Sequence, residues 1–187
     1  MQTRTARRLA LAITSLMVLT PIGAAAATPS QGYSFLEMDY IDYDNVDGFG
    51  FEGSVEIGPN AYLNGGYEEL EDTSPFANTT LETLYLGGGV AFGIAPTTDL
   101  HFGAAFVDQQ LGNFDDSGFQ VDAGIRARLS DVIELYGDAR HRDFGDFDED
   151  MLGAGIRLHL TPVFHLSAGV EDADNYDGYR IGARFSF

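Results

Sequence analysis

The segment FQVDAGIRARL, residues 119–129, alternates apolar or small residues with polar, charged or glycine residues. One face of an extended chain would carry Phe119, Val121, Ala123, Ile125, Ala127 and Leu129, and the other Gln120, Asp122, Gly124, Arg126 and Arg128. A two-residue period is that of a β-strand with two unlike faces. This segment therefore predicts a strand that separates an apolar environment from a charged one.

The same period recurs along the rest of the chain. It predicts ten strands, at residues 33–42, 48–58, 61–70, 82–95, 100–109, 119–129, 133–142, 151–160, 164–171 and 179–187. Short, nearly uncharged connections at 58–60, 95–99, 129–132 and 161–163 alternate with longer acidic ones. Outer-membrane barrels of bacteria have short periplasmic turns and longer extracellular loops. The pattern predicts an all-β, antiparallel, up-and-down transmembrane β-barrel of ten strands, with eight strands as the alternative.

The N-terminus has the three parts of a secretory signal peptide. A basic stretch containing Arg4, Arg7 and Arg8 precedes the apolar run LALAITSLMVL and the small-residue stretch GAAAAT. We expect residues 1–26 to be the signal peptide and residues 27–187 to form the barrel. In an even-stranded barrel both termini of the mature chain lie in the periplasm, and the acidic loops are then extracellular. The cell outer membrane of a Gram-negative bacterium is the expected location.

The amino-acid composition of the chain limits the classes of molecule that it can bind. The chain has no cysteine, and removal of the three arginines of the signal peptide changes the formal net charge from −19 to −22. Such an acidic protein opposes nucleic-acid binding, which requires neutralisation of phosphates. We expect no cofactor, and we expect the partners to be outer-membrane lipid, lipopolysaccharide and the barrel assembly machinery.

A soluble β-sandwich or a lipocalin-like barrel that binds a small ligand is the main structural alternative, because its strands also alternate. Small residues on the polar face favour the membrane barrel. Gly87, Gly89, Ala91 and Gly93 share that face of one predicted strand, and they suit a confined lumen better than a solvated surface.

The C-terminal strand YRIGARFSF ends at Phe187 and resembles the assembly signal of outer-membrane proteins, through Tyr179, Ile181, Phe185 and Phe187. Together with YSFLEMDY and DGFGFEGSVEIGPNAYLNGGYEE it resembles a family of small outer-membrane barrels once proposed as a quorum-sensing and plant-immunity signal. The resemblance extends over the mature chain. It implies a small porin-like barrel and supplies no catalytic residues. We expect a protein that is not an enzyme and that has a structural or surface-interaction role or a minor channel role.

A charge network is expected to cross the lumen. If Leu129 pairs with Ile133, an antiparallel ladder places Arg128 opposite Glu134 and Asp122 opposite Arg140, with Arg126 diagonal to Asp138. In the final hairpin Glu171 is expected opposite Arg180, and Arg184 lies on the same face. Barrels of eight strands are filled by side chains and those of sixteen or more hold open channels. Ten strands with these long side chains therefore predict a narrow or closed lumen.

Two groups of residues raise the alternative of an outer-membrane enzyme. His165, Ser167 and Glu171 share a strand face, in a pattern similar to the triad of the lipid A deacylases. His141 with Asp143 lies at a strand end, where the outer-membrane proteases also place a histidine and acids. His101 and His159 are expected to be lumen residues without ligand spacing.

The motif DYDNVDG, residues 42–48, recurs as DADNYDG, residues 172–178. Both are expected to be turns in neighbouring outer loops, because closure of a barrel pairs the first strand with the last. Together they present the carboxylates of Asp42, Asp44, Asp47, Asp172, Asp174 and Asp177. Divalent cations favour such oxygen ligands, so a weak cation site at this rim is a further expectation.

Overall fold

The computed structural model describes residues 27–44, 46–72, 79–112, 114–145, 147–173 and 176–187. The described residues form ten strands: β1 (Phe35–Tyr43), β2 (Val46–Glu56), β3 (Ala61–Asp72), β4 (Thr80–Ala95), β5 (Thr98–Leu111), β6 (Phe114–Arg128), β7 (Ile133–Asp143), β8 (Asp148–His159), β9 (Phe164–Ala173) and β10 (Asp177–Ser186). The expected signal peptide, residues 1–26, lies outside them. Across the described ranges no helix is long and apolar enough to cross a membrane.

The strands form a closed antiparallel barrel. Each strand pairs with its neighbours in sequence, and β1 pairs with β10, where Phe35 lies opposite Ser186 and Tyr43 opposite Gly178. Closure satisfies the backbone groups that would otherwise line two free edges. The prediction of a ten-stranded, antiparallel, up-and-down barrel is confirmed.

The polarity of the wall is the reverse of that of a soluble barrel. Apolar side chains face outward, with Leu86 71% and Phe119 69% exposed, whereas the carboxylates of Asp99 and Glu134 are fully buried inside. The arginines of the described residues all lie on the inward-facing parity of their strands. Such a wall leaves a broad belt of apolar side chains uncovered, and it is therefore stable only when an apolar solvent surrounds it. This arrangement excludes the soluble-barrel alternative.

The two ends of the barrel differ in charge more than in loop length. The short-turn end carries the connections 57–60, 96–97, 129–132 and 160–163, and the acidic end carries those between β1 and β2, β3 and β4, and so on around the barrel. At the acidic end β6 begins at Phe114 instead of the predicted 119, and β8 at Asp148 instead of 151. The expectation of long acidic loops is thus wrong for most hairpins. Backbone pairing continues into the acidic segments, because polar side chains in a paired strand remain hydrated beyond the apolar belt.

The register of the β6–β7 hairpin is the predicted one. The Leu129 N–H donates to the Ile133 carbonyl oxygen at 2.8 Å, and Arg128 faces Glu134 while Asp122 faces Arg140.

The predicted register of the β9–β10 hairpin is wrong by two residues. Glu171 faces Gly178, and Arg180 faces Gly169. Pairing extends to Asp172 and Asp177, so the connection is shorter than the sequence pattern suggested.

Candidate functional site

The lumen holds a layer of ion pairs near the acidic end, which we call the upper tier. Arg180 is its centre, with Nη2 2.8 Å from Glu68 Oε1, Nη1 3.5 Å from Asp39 Oδ2 and Nε 3.4 Å from Glu171 Oε1. Arg142 lies 3.3 Å from Glu149 and 3.6 Å from Glu68. The predicted partnership of Arg180 with Glu171 is present, but it forms diagonally across the hairpin instead of directly.

An apolar cluster covers the upper tier at the acidic end. Ile41, Tyr43 and Leu70 are buried there, and Val46, Leu81 and Tyr176 pack against them. The Tyr43 hydroxyl donates to Glu171, and the Tyr176 hydroxyl donates to Glu149 at 2.6 Å. Burial and the neighbouring Glu149 carboxylate raise the pKa of Tyr176, which lies outside the strands, well above its ordinary value. Its hydroxyl therefore remains a donor, and the cluster is tied to the ion pairs beneath it.

A second layer, the lower tier, lies near the short-turn end and is centred on Glu134. Arg126 reaches it with two nitrogens, at 2.9 Å and 3.2 Å, while Arg157 Nη1 lies at 2.6 Å and His159 Nε2 at 3.1 Å. Glu37 extends the layer, because it accepts from Arg184 and from the Ser167 hydroxyl at 2.9 Å. Arg157 Nη2 is 3.7 Å from Glu37 and so joins the two carboxylates.

Two predicted partnerships are not formed as expected. Arg128 faces Glu134 in the ladder, but Glu134 bonds to Arg126, Arg157 and His159 instead. Arg126, expected diagonal to Asp138, turns the other way along the barrel axis toward Glu134. Cross-strand register fixes the positions of Cα atoms, and a long guanidinium side chain can reach either diagonal neighbour.

Between the tiers lies a chamber of about 160 Å³. The predicted residues Asp122, Asp138 and Arg140 line it together with Glu52. Arg140 Nη1 lies 3.8 Å from Met151 Sδ, and the carboxylates of Asp138, Glu171 and Glu68 attract its guanidinium. The structure thus places the nine residues of the expected network in the lumen, distributed over the two tiers, the chamber and the short-turn end.

The chamber is narrowed by tyrosines that lie across glycines of neighbouring strands. Tyr62 faces Gly89, and Gly66 faces Tyr85, across the same pair of strands. A Cβ at Gly89 would lie in contact with the Tyr62 hydroxyl, and one at Gly66 with the Tyr85 hydroxyl. The small residues of the polar face therefore make room for large lumen side chains, which together fill much of the interior.

Residues 27–34, the N-terminal strap, cross the short-turn end from β1 to the opposite wall. The fully buried Asp99 of β5 accepts hydrogen bonds from the Ser30 N–H at 2.7 Å, the Ser30 hydroxyl at 2.9 Å and the Gln31 N–H at 2.9 Å. Arg126 Nη1 of β6 donates to the Gly32 carbonyl oxygen at 3.0 Å. In a closed ring of ten strands β5 and β6 lie across from β1, so the strap spans the opening.

Tyr33 carries the strap into the lumen. Its ring stacks on Tyr62 with centroids 5.1 Å apart and an interplanar angle of 17°. The guanidinium carbon of Arg126 lies 4.9 Å from the centre of the Tyr33 ring, a cation–π contact. Sequence analysis assigned residue 33 to the first strand and missed the strap. The one available signal was the hydrogen-bonding stretch ThrProSerGln at 28–31, which has no strand period.

The triad expected by similarity to the lipid A deacylases is not assembled. His165 Nε2 lies 3.1 Å from the Ser186 hydroxyl, whereas the Ser167 hydroxyl donates to Glu37. Glu171 accepts from Tyr43 and pairs with Arg180. Ser167 therefore lacks the histidine base that the triad requires within hydrogen-bond distance, and its hydroxyl is held by Glu37, which is itself paired with Arg184.

The second enzyme candidate lies on the outer wall. His141 Nδ1 is 2.7 Å from Asp150 Oδ1, while Asp143 accepts from the Gly145 N–H at 2.8 Å. His141 pairs across the β7–β8 hairpin, and its expected partner Asp143 is bound in the adjacent turn.

The first and last hairpins are neighbours at the acidic rim, as expected from closure. The Asp44 N–H donates to the Asp177 carbonyl oxygen at 3.2 Å. Asp42 accepts from the Tyr179 hydroxyl at 2.8 Å, and Asp47 accepts from the Tyr40 hydroxyl at 3.0 Å. Asp174 lies outside the described residues. Within the described ranges no three histidine or carboxylate side chains are placed to hold a metal ion, and the cation site stays a prediction.

Comparison with solved structures shows the fold of outer-membrane porins. The chain aligns with the KdgM porin, solved in complex with disordered oligogalacturonate, with a TM-score of 0.53 and 10% identity over 82% of this chain and 99% of that one. It aligns with the NanC porin with a TM-score of 0.55 and 7% identity over 81% of this chain and all of that one. No protein-family model and no curated protein matches the sequence. At such low identity the likeness concerns the fold alone, and the resemblance to the quorum-sensing barrels stays a prediction.

Proposed function

We propose that the protein is a small integral outer-membrane barrel of the porin-like class whose lumen is closed at rest, with a structural or surface-interaction role and at most a minor channel role. The observation that carries this proposal is the set of buried ion pairs inside an apolar outer wall. The upper tier, the lower tier and the strap each cross the lumen at a different depth.

The outer wall supports a location in the outer membrane. Closed barrels and helices are the structures that cross a bilayer, because every backbone polar group must find a partner within the protein. Tyr179, Ile181, Phe185 and Phe187 lie on the outward face of the closing strand and are 41–75% exposed. They are thus available both to lipid and to the assembly machinery.

Energetics as well as space support a closed lumen. Glu134 and Glu37 are buried and paired with arginines. Removal of one partner from a buried pair costs about 3–5 kcal/mol, because the other charge is left uncompensated. A solute that pushed these side chains apart would meet a barrier of the same origin. We do not propose an enzyme, since neither histidine group forms a catalytic arrangement.

Planar-bilayer recording of the detergent-folded protein tests the proposal. The wild type should show a small or absent conductance, and the double variant Arg126→Ala plus Arg140→Ala should show a larger one, because it removes side chains from the lower tier and the chamber. His141→Ala, on the outer wall, is the matched control and should leave conductance unchanged. A large, steady, porin-sized conductance in the wild type would refute the closed lumen.

A further inference from the structure

The short-turn end of the barrel contains a recess of about 590 Å³ below the lower tier, which we call the vestibule. Basic side chains dominate its wall: Arg126, Arg128, Arg157, Arg184, His159 and His165. Asp131 is the one carboxylate side chain among the described residues that line it. The vestibule therefore concentrates cationic groups in a protein whose formal net charge is strongly negative.

Several of these groups have hydrogen-bond donors to spare. Arg128 makes no ion pair with the described carboxylates, and its Nε is buried without a partner. Arg157, only 5% exposed, also has an unpartnered Nε, and His165, only 4% exposed, has an unpartnered Nδ1. Buried polar atoms are normally hydrogen-bonded. Three such nitrogens around one recess indicate a site that can receive an acceptor.

His159 and His165 give a second reason to expect an acceptor in the vestibule. Their rings meet edge to face with centroids 4.4 Å apart. His159 Nε2 is committed to Glu134, and His165 Nε2 to Ser186. Because the Ser186 hydroxyl can donate to His165 Nε2, the unpartnered Nδ1 of His165 can carry the proton and donate to an acceptor in the vestibule. His159 Nε2 donates to the Glu134 carboxylate, so its Nδ1 becomes a second donor only when the ring is protonated.

We propose that the vestibule is a binding site for a small oxyanion, a carboxylate or phosphate group, with Arg128 as its principal ligand. A guanidinium presents several donors in a planar fork that matches two oxygens of such a group. The Glu134 and Glu37 carboxylates do not compete for Arg128, since they are held by Arg126, Arg157 and Arg184. The site does not depend on whether the lumen conducts.

The chain contains four histidines, so NMR of the imidazole groups can locate binding within one molecule. Detergent-folded protein would be titrated with inorganic phosphate at fixed pH, against sodium chloride of equal ionic strength. The His159 and His165 resonances should shift and saturate. His101, which lines the chamber, and His141, on the outer wall, should not shift.

Two single-charge variants at the same end complete the test. Arg128→Gln should weaken phosphate binding at least about fivefold, because a charge-assisted hydrogen bond is lost. Asp131→Asn removes the lining negative charge and should strengthen binding. Neither residue forms an ion pair in the tiers, so both variants should fold, as monitored by heat-modifiable migration on gels.

The outcomes separate clearly. Saturation at His159 and His165 that responds oppositely to the two variants supports the site. A Kd of about 1 mM is the weak end of specific affinity. If phosphate at about 20 times that concentration causes no saturable shift of the wild-type His159 and His165 resonances, the proposed site is refuted. Equal shifts at all four histidines, or an affinity that Arg128→Gln and Asp131→Asn leave unchanged, also overturn it.

Discussion

Glu134 is the residue on which the lower tier depends. It is fully buried and bonds to two arginines and a histidine from β6 and β8. Three strands are therefore joined through one carboxylate. Removal of Glu134 would leave the Arg126 guanidinium without a counter-charge, and would leave Arg157 with only Glu37, at 3.7 Å.

Glu134→Gln should lower the free energy of unfolding by about 3 kcal/mol, because the neutral amide no longer compensates Arg126 and Arg157. Denaturant unfolding of the barrel in detergent measures the loss. Glu71→Gln, an exposed glutamate near the acidic rim, is the control and should change stability by less than about 0.5 kcal/mol. Equal stability of the two variants would show that the lower tier contributes nothing to the fold.

Gly118 illustrates a steric requirement at the acidic end. A Cβ at this position would clash with the backbone carbonyl oxygen of Asp143, on the neighbouring strand. A backbone atom of a paired strand cannot move aside as a flexible side chain can.

Gly118→Ala should therefore destabilise the barrel by about 1–3 kcal/mol, the usual cost of overpacking. The same denaturant experiment measures it. Gly58→Ala is the matched control, because a Cβ at Gly58 meets no atom within 4 Å, and its effect should be near zero. If Gly58→Ala proved the more harmful change, the close approach of β6 and β7 would be in doubt.

At the scale of elements, the strap is held chiefly by Asp99. The Asp99 carboxylate accepts three hydrogen bonds from Ser30 and Gln31. No arginine is among its donors in the described part of the chain. Substitution of Asp99 by alanine should release the strap, since a buried acceptor that received three hydrogen bonds is lost.

Because the chain contains no cysteine, the reactivity of a single introduced thiol can report whether the strap has been released. Gln31→Cys places a thiol where the wild-type side chain is only 3% exposed. Maleimide labelling of this thiol should be at least about tenfold faster with Asp99→Ala than without it, and Asp131→Ala, an exposed carboxylate at the same end, should have no effect. Equally slow labelling in both proteins would mean that other contacts, such as the Tyr33–Tyr62 stack, hold the strap.

For the molecule as a whole, the distribution of charge between the two ends predicts an orientation in the membrane. The acidic end carries carboxylates on nearly every hairpin, and the short-turn end carries the vestibule. We expect the acidic end to face the medium and both termini to face the periplasm.

Surface proteolysis of intact cells should accordingly cut within residues 72–80 or 144–150, and should spare 95–99. Cell lysis provides the control, because the short turns then become accessible to the protease. Cutting at 95–99 in intact cells, with protection of the acidic hairpins, would invert the topology.

The sequence by itself determined the wall of this barrel. The two-residue period of segments such as 119–129 specified ten strands and the face each residue occupies, because alternation is a local property of an extended chain. The ladder pairs of β6 and β7 followed from one short turn. Parity also placed in the interior every arginine that the structure describes.

Tertiary structure alone decided which charged groups meet inside. Arg126 and Arg128 both face the lumen and both line the vestibule, yet Arg126 binds Glu134 whereas Arg128 forms no ion pair with a described carboxylate. Several acceptor groups come from strands distant in sequence, such as Glu68 for Arg180 and Glu37 for Arg184, and a long guanidinium side chain can reach more than one carboxylate. The strap could not be foreseen for the same reason: its partner, Asp99, lies across the barrel, and only closure of the ring brings the two together.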